Sequence, residues 1–196
     1  MRKVIVNEFL SLDGIAQAPG GADEDTSAGF EHGGWHMQYT EDETFQKWVM
    51  SGINEAGGFL LGRRTYEIFA AYWPNAPEEA QVVAEPLNTK PKYVASKTLS
   101  DPLEWPNSTV LEGEVTEAIA ALKKEDGGDL LVIGSTVLVQ TLIENGLVDE
   151  FRLMIDPIML GGGKRIFPDD GALRQLRLAD HEVTSRGAIL ATYVPA

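Results

Sequence analysis

Short apolar runs alternating with helical patterns constrain this chain more than any other feature. Lys3 to Leu10 carries Val4, Ile5, Val6, Phe9 and Leu10, β-branched and apolar enough for a largely buried first strand. Gly58-Phe59-Leu60-Leu61-Gly62 reads as a second, bounded by glycines, and Tyr93–Ala95, Thr109–Leu111, Leu130–Ile133, Phe151–Ile155 and Ile189–Val194 as further strands. Helical patterns lie between them: about 41–55, with Phe45, Trp48 and Val49 at helical spacing; Thr65–Ala71; a short acidic stretch Pro77–Glu85; a face of Val115, Ile119 and Leu122; and Ser135–Asn145, with Gly146 placed to end it. Thr40-Glu41-Asp42-Glu43 reads as a capping box, Thr40 at the N-cap and Glu43 three residues on. Strands alternating with helices through residue 155, then strand-rich sequence without a long helix, predict one α/β domain. Its sheet is expected to be mostly parallel, with helices on both faces and an antiparallel C-terminal edge.

Composition narrows the function classes. The 16 Lys and Arg stand against 30 Asp and Glu, a net charge of −14, which argues against a nucleic-acid surface because neutralising phosphates needs clustered cations. Cysteine is absent, which excludes thiolate metal sites, disulfides and cysteine nucleophiles. Leu130 to Ile143, the longest apolar-rich stretch, is well short of the ~18–20 residues of a membrane span. The N-terminus lacks the apolar segment of a secretory signal, so a cytoplasmic protein is expected.

In so acidic a chain, a local gathering of cations needs a reason. Three loops follow the carboxyl ends of predicted strands, the edge where open α/β sheets bind ligands. Gly62-Arg63-Arg64-Thr65 opens a helix with two guanidiniums, Ser96-Lys97-Thr98 pairs a hydroxyl with a cation, and Gly134-Ser135-Thr136 opens another helix. Together they suggest a cofactor with several phosphates. Other nucleotide motifs do not fit: no G-x-G-x-x-G follows the first strand, and Gly163-Lys164 is followed by Arg165 rather than Ser or Thr.

VIVNEFLSLDG (4–14), LGRRTY (61–66), VASK (94–97), VIGS (132–135) and VDEFRLMIDPIMLGGGKRIF (148–167) resemble the dihydrofolate reductase-like superfamily. The likeness is to the branch that holds the reductase domain of bacterial riboflavin biosynthesis and its stand-alone relatives. The resemblance implies a three-layer dihydrofolate reductase-like fold, NADPH as hydride donor, a small planar pterin-like or pyrimidine-like acceptor, and a homodimer with Phe151–Ile155 and its neighbours as contact. It further implies that Arg63, Arg64 and Thr65, beside Gly62, bind adenosine-side phosphates, with Ser96 and Lys97 near a 2′-phosphate. Ile133, Gly134, Ser135, Thr136, Val137 and Leu138 would wrap the pyrophosphate, and Gly14, Ile15 and Ala16 would lie near the nicotinamide. Asp13 is the expected catalytic acid.

One departure weakens a folate-reducing role. The resemblance calls for an acid on the helix after the first loop, but counting back from Gly62-Arg63 reaches Gln46 or Lys47, and the nearest acids are Glu41, Asp42 and Glu43. Glu43 is kept as a substrate candidate, with Trp35 for stacking on a flat ring and Lys164 for a substrate phosphate. Residues 11–34 form a long glycine-rich stretch without period, expected to be a lid. No metal is expected, since Gly33-Gly34 between His32 and His36 argues against the helix that would bring the imidazoles together. A non-catalytic nucleotide-binding domain and a true dihydrofolate reductase are the alternatives.

Overall fold

The computed structural model describes residues 1–196. Eight strands form one sheet: β1 (Val4–Ser11), β2 (Gly58–Gly62), β3 (Lys92–Ala95), β4 (Ser108–Val110), β5 (Leu130–Ile133), β6 (Glu150–Asp156), β7 (Leu176–Val183) and β8 (Ile189–Pro195). Their order is β4-β3-β2-β5-β1-β6-β8-β7. All pairs from β4 to β6 are parallel, and β6–β8 and β8–β7 are antiparallel. The helices are α1 (Glu43–Glu55), α2 (Arg63–Tyr72), α3 (Gln81–Thr89), α4 (Val115–Leu122) and α5 (Thr136–Glu144).

The two-residue period of the strands sorts the core into layers. Val4, Val6, Leu60, Leu130 and Val132 pack with Ile119 and Leu122 of α4 and with Leu138, Val139 and Leu142 of α5. On the other face, Phe59, Leu61 and Leu131 pack with Ile53 of α1, Tyr66 of α2 and Leu87 of α3. Residues 11–34 contain one short 3-10 turn and are nonetheless pinned by apolar contact. Ile15, Ala18, Phe30 and Trp35 form a small buried cluster, and the Trp35 indole N–H donates to the Gln17 carbonyl at 2.8 Å.

Three expectations need correction. The N-cap of α1 is Asp42, not Thr40: its carboxylate accepts from the Phe45 N–H at 3.0 Å and from the backbone N–H and hydroxyl of Ser185. Glu43 is therefore the first helical residue, and the Thr40 hydroxyl turns back to the Met37 carbonyl. The strand-rich tail includes β7, whose residues are all exposed and so carry no buried face to betray them. Finally, Phe151–Ile155 cannot offer a free edge to a second copy, because β6 is flanked by β1 and β8; the edge strand on that side is β7.

Candidate functional site

β1 and β5 part company near the middle of the sheet. Their pairing ends at Asn7 opposite Ile133, whereas β1 stays paired with β6 as far as Ser11 opposite Asp156. A cleft of about 1580 Å³ opens there, along the carboxyl ends of the parallel strands. It is lined by Gly62, Arg63, Arg64 and Thr65, by Ser96 and Lys97, by Ile133 through Leu138, and by Ala16 and Lys164.

The two strand-to-helix turns in this cleft are braced against each other. The Gly62 N–H donates to the Ser135 hydroxyl at 2.9 Å, and the Ser135 N–H donates to the Thr65 hydroxyl at 2.9 Å. Gly134 has φ +59°, and a Cβ there would stand 3.2 Å from Thr65 Oγ1, so a side chain would press the turns apart. Neither α2 nor α5 has a side-chain N-cap, so their first-turn N–H groups remain available at the cleft wall. Uncapped helix starts, two guanidiniums and an exposed Lys97 fit a polyphosphate group. Ser96 Oγ already accepts from the N–H groups of Thr98 and Leu99, which leaves its hydroxyl proton for a ligand.

Three of the cations are already paired. Asp25, on the loop between β1 and α1, takes Arg64 at 3.1 Å and also the Lys164 ammonium. Burial works against the charge of Asp25, but hydrogen bonds from Lys164 and Ser27 carry its carboxyl down to about 2. Gln17 ties the same loop together, its amide donating to the carbonyls of Asp25 and Ser27 at 3.0 Å and accepting from the Lys164 N–H at 3.0 Å. Arg63 pairs along its own helix with Glu67 at 3.0 Å.

Other expected site residues are not at the cleft wall. Asp13 accepts from the Ser11 hydroxyl at 2.6 Å and from the N–H groups of Leu160 and Gly161 at 3.1 and 2.8 Å. These bonds, that from Ser11 foremost, hold its carboxyl at about 2, so it is a charged brace between two loops rather than a proton donor. Ile15 is fully buried behind Ala16, and Gly14, at φ +82°, faces the Arg165 guanidinium. Trp35 anchors the loop from within, because its ring is 5 % exposed and its N–H is spent on Gln17. Glu43 stands in solvent opposite Lys47, and Glu41 pairs with Arg186, so neither supplies the acid of a folate site. His32 is exposed while His36 is buried, so the two imidazoles diverge.

The far end of the cleft holds groups that the motif reading missed. Glu8, Phe9, Glu24, His36, Phe45 and Val49 line it. His36 stacks on Phe9 with ring centroids 4.0 Å apart, and its Nδ1 meets Asp156 Oδ2 at 2.8 Å. His36 Nε2, Asp156 Oδ1 and Glu8 Oε1 are enclosed without a hydrogen-bond partner. Burial raises the carboxyls of Asp156, Glu24 and Glu8, the last well above 4.5, although the bond to His36 opposes the shift at Asp156 and the N–H groups of Gly20 and Gly21 oppose it at Glu24. An acid in the middle of a strand otherwise rich in Val, Ile, Phe and Leu was the available signal for Glu8.

Comparison with known proteins gives the family and the fold. The sequence model of the family described as RibD C-terminal domain matches residues 2–190. The Bacillus subtilis protein YyaP is 31 % identical over 144 residues, 72 % of this chain and 75 % of its own. A protein from Shewanella sp. PV-4, provisionally named for riboflavin biosynthesis, superposes with a TM-score of 0.68 at 20 % identity over 99 % of both chains. Dihydrofolate reductase from Enterococcus faecalis, complexed with NADP(H) and RAB-propyl, superposes with a TM-score of 0.61 at 16 % identity over 98 % of this chain and 96 % of that one. The fold is dihydrofolate reductase-like.

Proposed function

The chain belongs to the RibD C-terminal domain family, and from that premise we propose that it is an NADPH-dependent reductase of a small planar heterocycle of the pyrimidine or pterin type. One observation carries the reading: a single cleft of about 1580 Å³ joins the cationic, backbone-rich turns at one end to a buried acid, imidazole and aromatic pocket at the other. When bound, NADPH supplies a hydride, and that chemistry belongs to the cofactor. Arg63, Lys97, Ser96 and the N–H groups of α2 and α5 hold its phosphates. Phe9 and Phe45 offer flat apolar walls to a ring, and Glu8, Glu24 and the His36–Asp156 pair are the groups able to hold a proton beside it.

Fluorescence titration with NADPH and NADH tests the cofactor half. Arg63→Ala combined with Lys97→Ala is expected to weaken NADPH by about 10–100-fold while leaving NADH within about threefold, because the lost charged hydrogen bonds are to the 2′-phosphate. Equal losses for both would remove that assignment. Loss of reduced-nicotinamide absorbance on incubation with a panel of pterins, deaminated flavin precursors and quinonoid compounds tests turnover. Cofactor binding without turnover on any of them would favour a binding module. A cytoplasmic homodimer is part of the same proposal. Leu178 and Val183 on the exposed strand β7, 46 % and 62 % exposed, are its contact, and sedimentation equilibrium of a β7 variant reads it.

A further inference from the structure

One carboxyl in the cleft is left with no partner from the protein. Glu8 is 4 % exposed, lines the cleft, and its Oε1 is enclosed without a hydrogen bond. It is the first residue of β1 beyond the point where pairing with β5 ends, so it stands where the sheet opens. Strand alternation puts its side chain on the face of Val6 and Leu10, one position from Phe9, on which His36 stacks.

The surrounding charges offer Glu8 no counter-ion. Arg64 and Lys164 are bound to Asp25, Arg63 is paired with Glu67, and Lys97 lies beyond the end of β3. The nearest influence on its charge is another acid, Glu24, and His36 is engaged by Asp156 of β6. An ionised carboxylate buried in such a place is strongly disfavoured, so the group keeps its proton. It then presents an O–H donor beside a C=O acceptor, the complement of an amide edge and a mismatch for an amidinium, which has donors only.

We propose that Glu8 is the recognition residue at this end of the cleft and that it takes an uncharged amide edge, a C=O beside an N–H. The proposal rests on reading the cleft as a reductase site, because that reading supplies the two sources of such an edge: the carboxamide of the nicotinamide ring and a lactam of the planar acceptor. The chemistry is shared, and the source is separable by experiment.

Equilibrium titrations of the wild type, Glu8→Gln and Glu8→Ala near pH 6.5 decide it. The ligands are NADPH, its 3-acetylpyridine analogue, which keeps the C=O but lacks the amide N–H, and lumazine, which carries lactam edges. Glu8→Ala is expected to lose about tenfold or more in affinity for the ligand that presents the edge. Glu8→Gln keeps a donor beside an acceptor and is expected to stay within about threefold of wild type. A loss seen with NADPH and absent with the acetylpyridine analogue assigns the edge to the cofactor; a loss seen with lumazine alone assigns it to the acceptor.

The proposal is overturned if Glu8→Ala leaves every affinity unchanged. It is equally overturned if Glu8→Gln falls as far as Glu8→Ala for the ligand that presents the edge, because an amide can replace an un-ionised carboxyl but not a working carboxylate. Infrared difference spectra of the ligand-free proteins read the state of the group directly: an un-ionised carboxyl band at neutral pH in the wild type, lost in Glu8→Gln. If NADPH binds nowhere while lumazine binds through Glu8, the reductase reading fails and Glu8 stands. If NADPH is bound and consumed and Glu8→Ala changes nothing, the assignment of Glu8 fails alone.

Discussion

β1 and the turn that follows it carry two acids five residues apart, and their surroundings have put them in opposite states. Asp13 receives three hydrogen bonds from Ser11, Leu160 and Gly161 and is held ionised down to about 2. Glu8 receives none, lies deeper, and is pushed well above 4.5 by burial and by Glu24. The difference shows that the supply of donors from the chain itself, rather than the kind of residue, decides which acid is left for a ligand. Asp13 spends three of its roughly four acceptor sites on its own loops. Glu8 has capacity that nothing in the protein uses, which is the mark of a group awaiting a partner.

The largest effect is expected at Asp13. Asp13→Ala removes three charge-assisted bonds, two of which, from Leu160 and Gly161, join the turn after β1 to the loop after β6, and is expected to cost about 2–4 kcal/mol in chemical denaturation. Because the folded carboxyl is held at about 2, below its ordinary 3.8, its stabilisation is present above pH 3.8 and fades as pH falls toward 2. The gap between wild type and variant should therefore be flat from pH 5 to 8 and shrink below pH 4. A pH–rate profile that moved with Asp13→Asn while stability held would return Asp13 to the chemistry.

Glu8 should show the reverse. Glu8→Leu replaces an unpaired buried polar group by an apolar one of similar size, and is expected to raise stability by about 1–3 kcal/mol while impairing ligand recognition. Here the folded carboxyl lies above its ordinary 4.5, so the wild type is relatively most stable below pH 4.5 and loses ground as the unfolded chain ionises. The advantage of the variant should widen as pH rises from 4.5 toward neutrality. An advantage that narrowed with pH would mean that Glu8 is ionised in the folded protein.

Why the two ends of the cleft differed in legibility follows from how each is built. The two strand-to-helix turns are local: strand, glycine and helix start lie within a few residues, with two cations in the first, so Gly62-Arg63-Arg64-Thr65 and Gly134-Ser135-Thr136 could be read as units. The sheet was legible for the same reason, since short continuous apolar runs closed by Gly62 and Gly134 define β2 and β5. The other end gathers Glu8 from β1, Glu24 and His36 from the connection between β1 and α1, and Asp156 from β6. Only Glu8 carries a local mark, an acid inside an apolar strand; the rest of the group is defined by burial and by contacts such as His36 with Asp156, 120 positions apart. Asp13 was conspicuous because Asp-Gly marks a turn, and a turn is what it serves. Thr40 and Asp42 compete as caps on local grounds, and Ser185, 143 residues away, favours Asp42.

The smallest effect concerns the loop that joins the two ends. Asp25 binds Arg64 and Lys164, both at the cleft wall, so a phosphate arriving there must take cations that a carboxylate already holds. Asp25→Asn keeps the size of the side chain and its acceptor oxygen toward Ser27 but releases the charge. With Arg64 and Lys164 freed, NADPH is expected to bind about 3–10-fold more tightly, since roughly 1.4 kcal/mol is a factor of ten and an exposed guanidinium pair is worth less than that. The gain should be largest at low ionic strength and fade in 1 M salt, where charges about 3 Å apart and beyond are screened. Weaker binding by Asp25→Asn would reverse the roles, making Asp25 the residue that sets the two cations in place for the phosphate rather than the one that competes for them. In that case the connection between β1 and α1 and the two strand-to-helix turns would act as one element, and the contrast between the ends of the cleft would narrow to the single buried carboxyl of Glu8.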